Sequence, residues 1–419
     1  MPLGEFSYSN GLLACEDVPL DDAARLHGTP AYVYSRQAIV RSFHSYERAL
    51  AGLPHRICYS VKANSNLAVL STLAREGAGF DIVSGGELHR VLAAGGDPAS
   101  VVFSGVGKTE AEIRFALDQR IHSFHCESEA ELDLLSRCAV ALRRSASLAL
   151  RVNPDVDAIT HPYISTGLRE HKFGVDFATA EALYARAAQL PALVPEGVSC
   201  HIGSQILDID PLLESADKVL ALAARLRASG LAIRYVDLGG GLGVAYQSSD
   251  RAVPVDAFLD RLRPCVQESG LTLMLEPGRS IVAEAGVLLT RVLLVKRNGN
   301  KTFVVVDAAM NDLLRPALYQ AHHDIVPVTQ PAGEERLTVD IVGPVCESGD
   351  FLARNRELPR VEPGELLAIL TAGAYGFSLA SNYNSRPRPC ELLIDGASIH
   401  VARRRETYEE LLRGESAVL

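Results

Sequence analysis

Residues 56–83 read RICYSVKANSNLAVLSTLAREGAGFDIV. A short β-rich run at 56–61 passes through polar residues into a segment, 66–76, whose apolar side chains recur at helical spacing, and a second β-rich run follows at 80–83. Strand, crossover helix and strand in that order predict two parallel neighbours in one sheet, because parallel strands need a crossover that a hairpin cannot supply. The same alternation continues along the chain. Further strands are expected at 101–104, 121–124, 147–152, 197–201, 234–238 and 271–275, with amphipathic helices at 86–94, 127–143, 210–228 and 256–268 among them. Eight strands alternating with helices over about 220 residues match an α/β fold of the (β/α)8 TIM-barrel kind better than an open doubly wound sheet.

Beyond Glu284 the pattern changes to β-rich runs without long intervening helices. Residues 286–295 and 302–307 flank an Arg297-Asn298-Gly299-Asn300 turn, and 390–394 and 398–402 flank Asp395-Gly396, so both pairs read as hairpins. The first 35 residues are extended and turn-rich, with 31–35 strand-like. The expected domains are therefore a barrel over 36–284 and a second, mainly antiparallel β domain, Greek-key barrel-like, built from 1–35 plus 285–419.

Composition narrows the function classes. Hydrophobic residues make up 47% and charged residues 22%, which excludes a disordered or collagen-like chain. A formal charge of −10, with no long basic run apart from Arg403, Arg404 and Arg405, argues against general affinity for nucleic acid or an anionic membrane. No stretch approaches the length of an apolar span, and the N-terminus lacks a basic segment followed by an apolar one, so a cytoplasmic protein is expected. The eight cysteines include no C-x-x-C pair, and neither a metal site nor a disulfide framework is expected.

In a barrel the catalytic groups stand at the C-terminal ends of the strands. The first strand is followed by Lys62, the sixth by His201-Ile202-Gly203-Ser204-Gln205, the seventh by Gly239-Gly240-Gly241, and the eighth ends at Glu276-Pro277-Gly278-Arg279. Singly these features are weak, since a lysine at a rim is commonly a surface residue, a glycine run a turn, and a histidine part of the core. The glycines do not complete G-x-G-x-x-G, because Val244 stands where the last glycine belongs, so no dinucleotide fingerprint is present. Together they put an amine capable of imine formation beside an anion-binding turn, which suggests pyridoxal 5'-phosphate.

Six motifs, in order, carry a resemblance: Tyr59-Ser60-Val61-Lys62-Ala63-Asn64, Ser199 to Gln205, Asp237 to Gly241, Glu276 to Arg279, Cys346-Glu347-Ser348-Gly349-Asp350, and Gly373-Ala374-Tyr375-Gly376. They resemble the diaminopimelate decarboxylases within the alanine-racemase-like, fold type III pyridoxal-phosphate enzymes, over residues 30–390. Residues 151–174, including His161 to Gly167, and Asn311 to Tyr319 share the likeness. Ser60 departs from it, since many relatives carry alanine there.

The resemblance implies that Lys62 forms the imine with the cofactor, with Asp81 near it and His201 stacked on the pyridine face. It assigns Ser204, Gly239, Gly240, Gly241, Gly278, Arg279 and Tyr375 to the cofactor's phosphate and ring. Glu276 would face the pyridine nitrogen, where an anion favours the protonated ring and so the stronger electron sink; this argues for decarboxylation over racemisation. Cys346 matches the family's proton donor, on a loop that relatives take from the partner subunit, which implies a homodimer with composite active sites. Arg279, Arg315, Tyr319, Glu347 and Tyr375 match the substrate contacts expected for meso-diaminopimelate, whose distal carboxylate and ammonium need a guanidinium and an acidic acceptor. A decarboxylase of another dibasic amino acid or of a carboxylated polyamine is the nearest alternative, and an inactive homologue a remote one. The Cys346 to Asp350 motif and Arg315 weigh against the first. The retention of Lys62, His201, Glu276, Cys346 and Tyr375 weighs against the second.

Overall fold

The computed structural model describes residues 5–156, 172–331, 333 and 335–418, so the family-like stretch from His161 to Gly167 lies outside the described residues. The chain divides into two compact units, one of Val40–Val244 and Arg251–Ile281, the other of Met1–Ile39, Ala245–Asp250 and Val282–Leu419.

The first unit is a closed barrel of eight parallel strands: His55–Ser60, Gly79–Ile82, Val101–Phe103, Ser123–Cys126, Ala146–Asn153, Leu193–Ser199, Tyr235–Asp237 and Thr272–Leu275. Pairing of the eighth strand with the first, Leu273 opposite His55, closes the ring. The helices after the first four strands begin where short polar side chains, Asn66 first among them, satisfy their free N–H groups. Ser84 accepts from the Glu87 amide, Thr109 forms a reciprocal box with Glu112, and Ser128 accepts from the Glu131 amide.

Two local departures from the sequence reading bear on the site. The sixth strand starts at Leu193 rather than at 197, because a register shift between Pro195 and Gly197 accommodates a residue that cannot donate to the ladder. The first strand stops at Ser60, and Val61–Ala63 form one 3-10 turn, which lifts Lys62 out of the strand.

Cys58, Val102, Ala149, Tyr235 and Met274 form a buried apolar cluster from five different barrel strands. Gly197 faces Tyr235 so closely that a Cβ there would lie 2.1 Å from the ring, while the Tyr235 hydroxyl lies 2.5 Å from Ser123 Oγ.

The second unit is mainly antiparallel. Its large sheet runs, in spatial order, Phe351–Pro359, Arg336–Val342, Lys301–Val306, Gly286–Asn298, Ala31–Ser35, Cys390–Asp395 and Ser398–Arg403. Two neighbouring pairs in this sheet, Lys301–Val306 with Arg336–Val342 and Ala31–Ser35 with Cys390–Asp395, are parallel. Both expected hairpins form, and Ala31–Ser35 lies between Gly286–Asn298 and Cys390–Asp395 in this sheet. Among the described residues, no helix is long and apolar enough to cross a membrane.

Replacing Gly197 by alanine forces a methyl into the Tyr235 ring, and we expect a loss of about 1–3 kcal/mol of stability, measured by urea unfolding. An unchanged midpoint would show that the ring moves aside freely.

Candidate active site

Strand register builds the first part of the site. Ser60 is paired with Asp81 across the first two barrel strands. Ser60 Oγ donates to Asp81 Oδ2 at 2.6 Å, and Lys62 Nζ donates to the same oxygen at 3.1 Å. Asp81 is fully buried, whereas 34% of the Lys62 side chain is exposed. Glu87 accepts from the Val83 amide at 2.7 Å, and burial pushes its carboxyl up to about 7.

Glu276, immediately after the eighth strand, is buried on a polar chain. Ser104 Oγ donates to its Oε1 at 3.1 Å, and His125 Nδ1 stands 3.1 Å from Ser104 Oγ and 3.4 Å from that same Oε1. On its other edge, His125 Nε2 lies 3.9 Å from Asp237 Oδ2, and among the described residues neither atom has a hydrogen-bond partner. Asp237 Oδ1 accepts from the Gly239 amide at 2.8 Å. Burial and the neighbouring Glu276 charge push the Asp237 carboxyl well above its usual range. Burial acts on Glu276 in the same sense, but the hydrogen bond and charge of His125, with Lys62 and Arg151, overcome it and hold Glu276 below its ordinary value. The two neighbouring carboxylates are thus driven apart, Asp237 upward and Glu276 downward. His125, Asp237 and Glu276 offer donor atoms within 4.8 Å of one another. Their contacts, however, use opposite edges of the imidazole, which suits a proton-bearing chain better than one shared metal ion.

The glycine turn is required by close approach. A Cβ on Gly239 would lie 2.6 Å from the Cys200 carbonyl oxygen, and one on Gly240 would lie 2.3 Å from that of Glu276. Gly239 and Gly241 also adopt positive φ, 68° and 108°. The Gly240 amide donates to His201 Nδ1 at 3.2 Å, which fixes the lone pair there. Burial, then Lys62 and Arg151, push the His201 imidazole well below its usual range, so the ring is neutral. Arg151 bridges Glu127 at 3.0 Å and the His201 carbonyl at 3.4 Å. Arg279 Nη2 donates to Ser204 Oγ at 3.0 Å, and Gly278 lies against Ser60, where a Cβ would approach to 2.9 Å.

The remaining predicted residues belong to the β unit. Arg315 opens the short helix Arg315–Tyr319 and is buried, with Tyr319 half-buried at its end. Cys346 and Glu347 are exposed on a loop folded around the buried Asp350 carboxylate, which accepts from Val345 and Met310 amides, both at 2.7 Å. The Cys346 amide donates to Asn384 Oδ1 at 2.8 Å. Tyr375 is half-buried and left-handed, at φ 55°.

Lys62, Asp81, His201, Ser204, Gly239–Gly241, Glu276, Gly278 and Arg279 thus all follow or end barrel strands in one unit, and Arg315, Tyr319, Cys346, Glu347 and Tyr375 share the other. Sequence reasoning missed Ser104, His125, Asp237, Arg151 and Glu127. The signal was available for most of them, since Ser104 follows the third strand, Asp237 ends the seventh, and His125 is the penultimate residue of the fourth.

A family model described as the pyridoxal-binding domain of pyridoxal-dependent decarboxylases matches residues 36–283. The chain belongs to the pyridoxal-dependent decarboxylases. It is 55% identical to a diaminopimelate decarboxylase of Pseudomonas aeruginosa, with 98% of each chain covered. Among solved structures, diaminopimelate decarboxylase from Helicobacter pylori, complexed with L-lysine, matches with a TM-score of 0.91 at 44% identity over 94% of this chain and 98% of the other. The M. jannaschii diaminopimelate decarboxylase, also with L-lysine, matches with a TM-score of 0.95 at 36% identity over 100% and 99%. The donor set of this decarboxylase fits its family's cofactor: a partly exposed primary amine, a buried carboxylate within the barrel, a neutral imidazole, and glycines that leave no room for side chains.

Asp237 holds a proton in the folded state that it lacks when unfolded, so its contribution to stability falls as pH rises from the ordinary carboxylate range toward its raised folded value. Asp237→Asn removes that titration while preserving an acceptor for Gly239. We expect a flatter dependence of unfolding free energy on pH above about 4, measured by denaturant melts from pH 5 to 8. A slope equal to wild type would place the proton elsewhere.

Proposed function

We propose that this chain decarboxylates meso-2,6-diaminoheptanedioate to L-lysine and carbon dioxide, the last step of lysine biosynthesis, as a cytoplasmic carboxy-lyase using pyridoxal 5'-phosphate. The observation that carries the reading is a buried carboxylate, Glu276, that accepts from Ser104 in a barrel with Lys62 at a strand end, in a chain 55% identical to a diaminopimelate decarboxylase along nearly its whole length.

Lys62 would hold the cofactor covalently. Glu276 would meet the pyridine nitrogen, neutral His201 would face the ring, and Ser204, Gly239, Gly240, Gly241, Gly278, Arg279 and Tyr375 would hold phosphate and ring. When bound, the cofactor supplies an electron sink for the charge left on the α-carbon as carbon dioxide departs. Asp81 holds the Lys62 amine at 3.1 Å, which would keep it aligned for the cofactor. The neutrality of His201 matters here, because a cationic imidazole against a protonated ring would be repelled.

At the distal end Arg315 clamps the second carboxylate, with Arg279, Tyr319, Glu347 and Tyr375 completing the contacts. Cys346 Sγ delivers a proton to the α-carbon. Its exposure on a loop whose backbone is tied down by Asp350 and Asn384 suits a group that reaches into a partner copy, so we read the active form as a homodimer with composite sites.

A carbon dioxide release assay comparing meso-diaminopimelate with its L,L isomer, ornithine, arginine and lysine tests the reading; equal release from ornithine would overturn it. Arg315→Met should raise KM for diaminopimelate by about tenfold or more, in line with truncating one partner of a charge pair. Mixing inactive Lys62→Ala and Cys346→Ala chains should restore up to about a quarter of wild-type activity, since half of the dimers then carry one intact site of two. No recovery after verified subunit exchange would assign both residues to one chain.

A further inference from the structure

Arg315 does not stand alone in the β unit. Its Nη1 lies 2.8 Å from His323 Nε2, and His323 Nδ1 lies 2.8 Å from the Leu370 carbonyl oxygen. His323 is fully buried and Arg315 nearly so. A guanidinium has N–H donors and no acceptor, so Nε2 must offer a lone pair; a carbonyl has no proton, so Nδ1 must carry one. Both nitrogens of His323 are thereby committed in the neutral Nδ1–H tautomer. A protonated His323 would lose the bond to Arg315 and set one cation against another.

The ring of Tyr246 completes the seat. Its centroid lies 4.3 Å from Arg315 Cζ and 5.1 Å from the His323 ring, edge to face. The backbone at His323 is tied from two sides: Arg356 Nη1 donates to its carbonyl at 3.0 Å, and the Leu370 amide donates to the neighbouring Asp324 carbonyl at 2.8 Å. An arginine side chain has much rotamer freedom to lose on binding a carboxylate, and one fixed beforehand by a buried acceptor and an aromatic face loses less at that moment.

We propose that His323 is the positioning residue for substrate specificity, holding the Arg315 guanidinium ready for the distal carboxylate of the substrate. This rests on the assignment of Arg315 as the distal clamp. His323 touches Arg315 and acts through it, so its loss should weaken recognition of the distal carboxylate and leave the chemistry at the α-carbon intact. Glutamine can reproduce both bonds, accepting from Arg315 through its carbonyl oxygen and donating to Leu370 through its amide, whereas phenylalanine fills the space and makes neither.

The test is steady-state kinetics of the full-length holoenzyme with diaminopimelate. His323→Phe is expected to raise KM on the order of tenfold with kcat within about twofold, and His323→Gln to restore KM to within about threefold of wild type. His323→Phe added to Arg315→Met should raise KM no further than Arg315→Met alone, because the two act through one guanidinium. If Arg315→Met raises KM while His323→Phe does not, the positioning role fails and the clamp stands. If Arg315→Met leaves KM unchanged, both fail. Should His323→Phe not fold, His323→Gln with KM as high as that of Arg315→Met would overturn the proposal, and a KM near wild type would support it.

Discussion

A carboxylate kept charged inside a barrel is the constraint on which the rest of the site depends. Removing such a group from water costs several kcal/mol unless the interior supplies compensating donors and opposite charge. Here the hydroxyl of Ser104 donates to Glu276, His125 stands behind that hydroxyl, and Lys62 and Arg151 add positive field. Asp237, on the far edge of the same imidazole, takes up the proton that a second buried anion could not do without. The arrangement needs side chains from the third, fourth, seventh and eighth strands at one depth, and only a closed ring with its strands in register delivers them. For the proposed chemistry, the charge on Glu276 is what makes a bound pyridine ring a strong acceptor of electrons.

Much of this was legible in the sequence, for a physical reason. Parallel strands buried on both faces are continuous apolar runs, and the crossover helices between them have a different period, so the eight βα units stand out, and the rule that chemistry collects at strand ends pointed to Lys62, His201, Gly239–Gly241 and Glu276. What escaped were partners recognisable only through pairing. Ser60 and Asp81 are 21 positions apart, and only their opposition across two strands shows that one donates to the other. Ser104, His125 and Asp237 are polar residues within or just after apolar runs, and taken singly each reads as a satisfied core group. The sixth strand was misjudged at its start because Pro195 argues against a strand until the bulge beside it is seen.

The β unit was less legible because its functional residues owe their positions to loops. Arg315, Cys346 and Tyr375 entered through resemblance, and nothing in their spacing explains their roles. The structure supplies reasons at the level of backbone satisfaction. The Asp350 carboxylate closes the loop by accepting from Met310 and Val345, and burial raises its pKa, so this anchor is held at an energetic cost. His323 is invisible to the same reading, since a buried histidine in a β-rich segment has no pattern to separate it from packing.

Two lysines of the barrel differ in what their surroundings leave free for chemistry. Lys108 is 1% exposed at its side chain, and its Nζ donates to Glu131 at 2.6 Å, to the His125 carbonyl at 2.7 Å and to the Gly105 carbonyl at 2.8 Å. An ammonium has three protons, and all three are spent. Such a group cannot leave its seat without abandoning a buried Glu131, so it is structural. Lys62 sits on a single 3-10 turn, a third exposed, and among its contacts is a carboxylate oxygen at 3.1 Å that it shares with the Ser60 hydroxyl. When Lys62 moves to bond or release a partner, Asp81 keeps Ser60 as a donor and is not left bare. The hydroxyl at position 60 thus lowers the cost of the motion that the imine-forming role proposed for Lys62 requires.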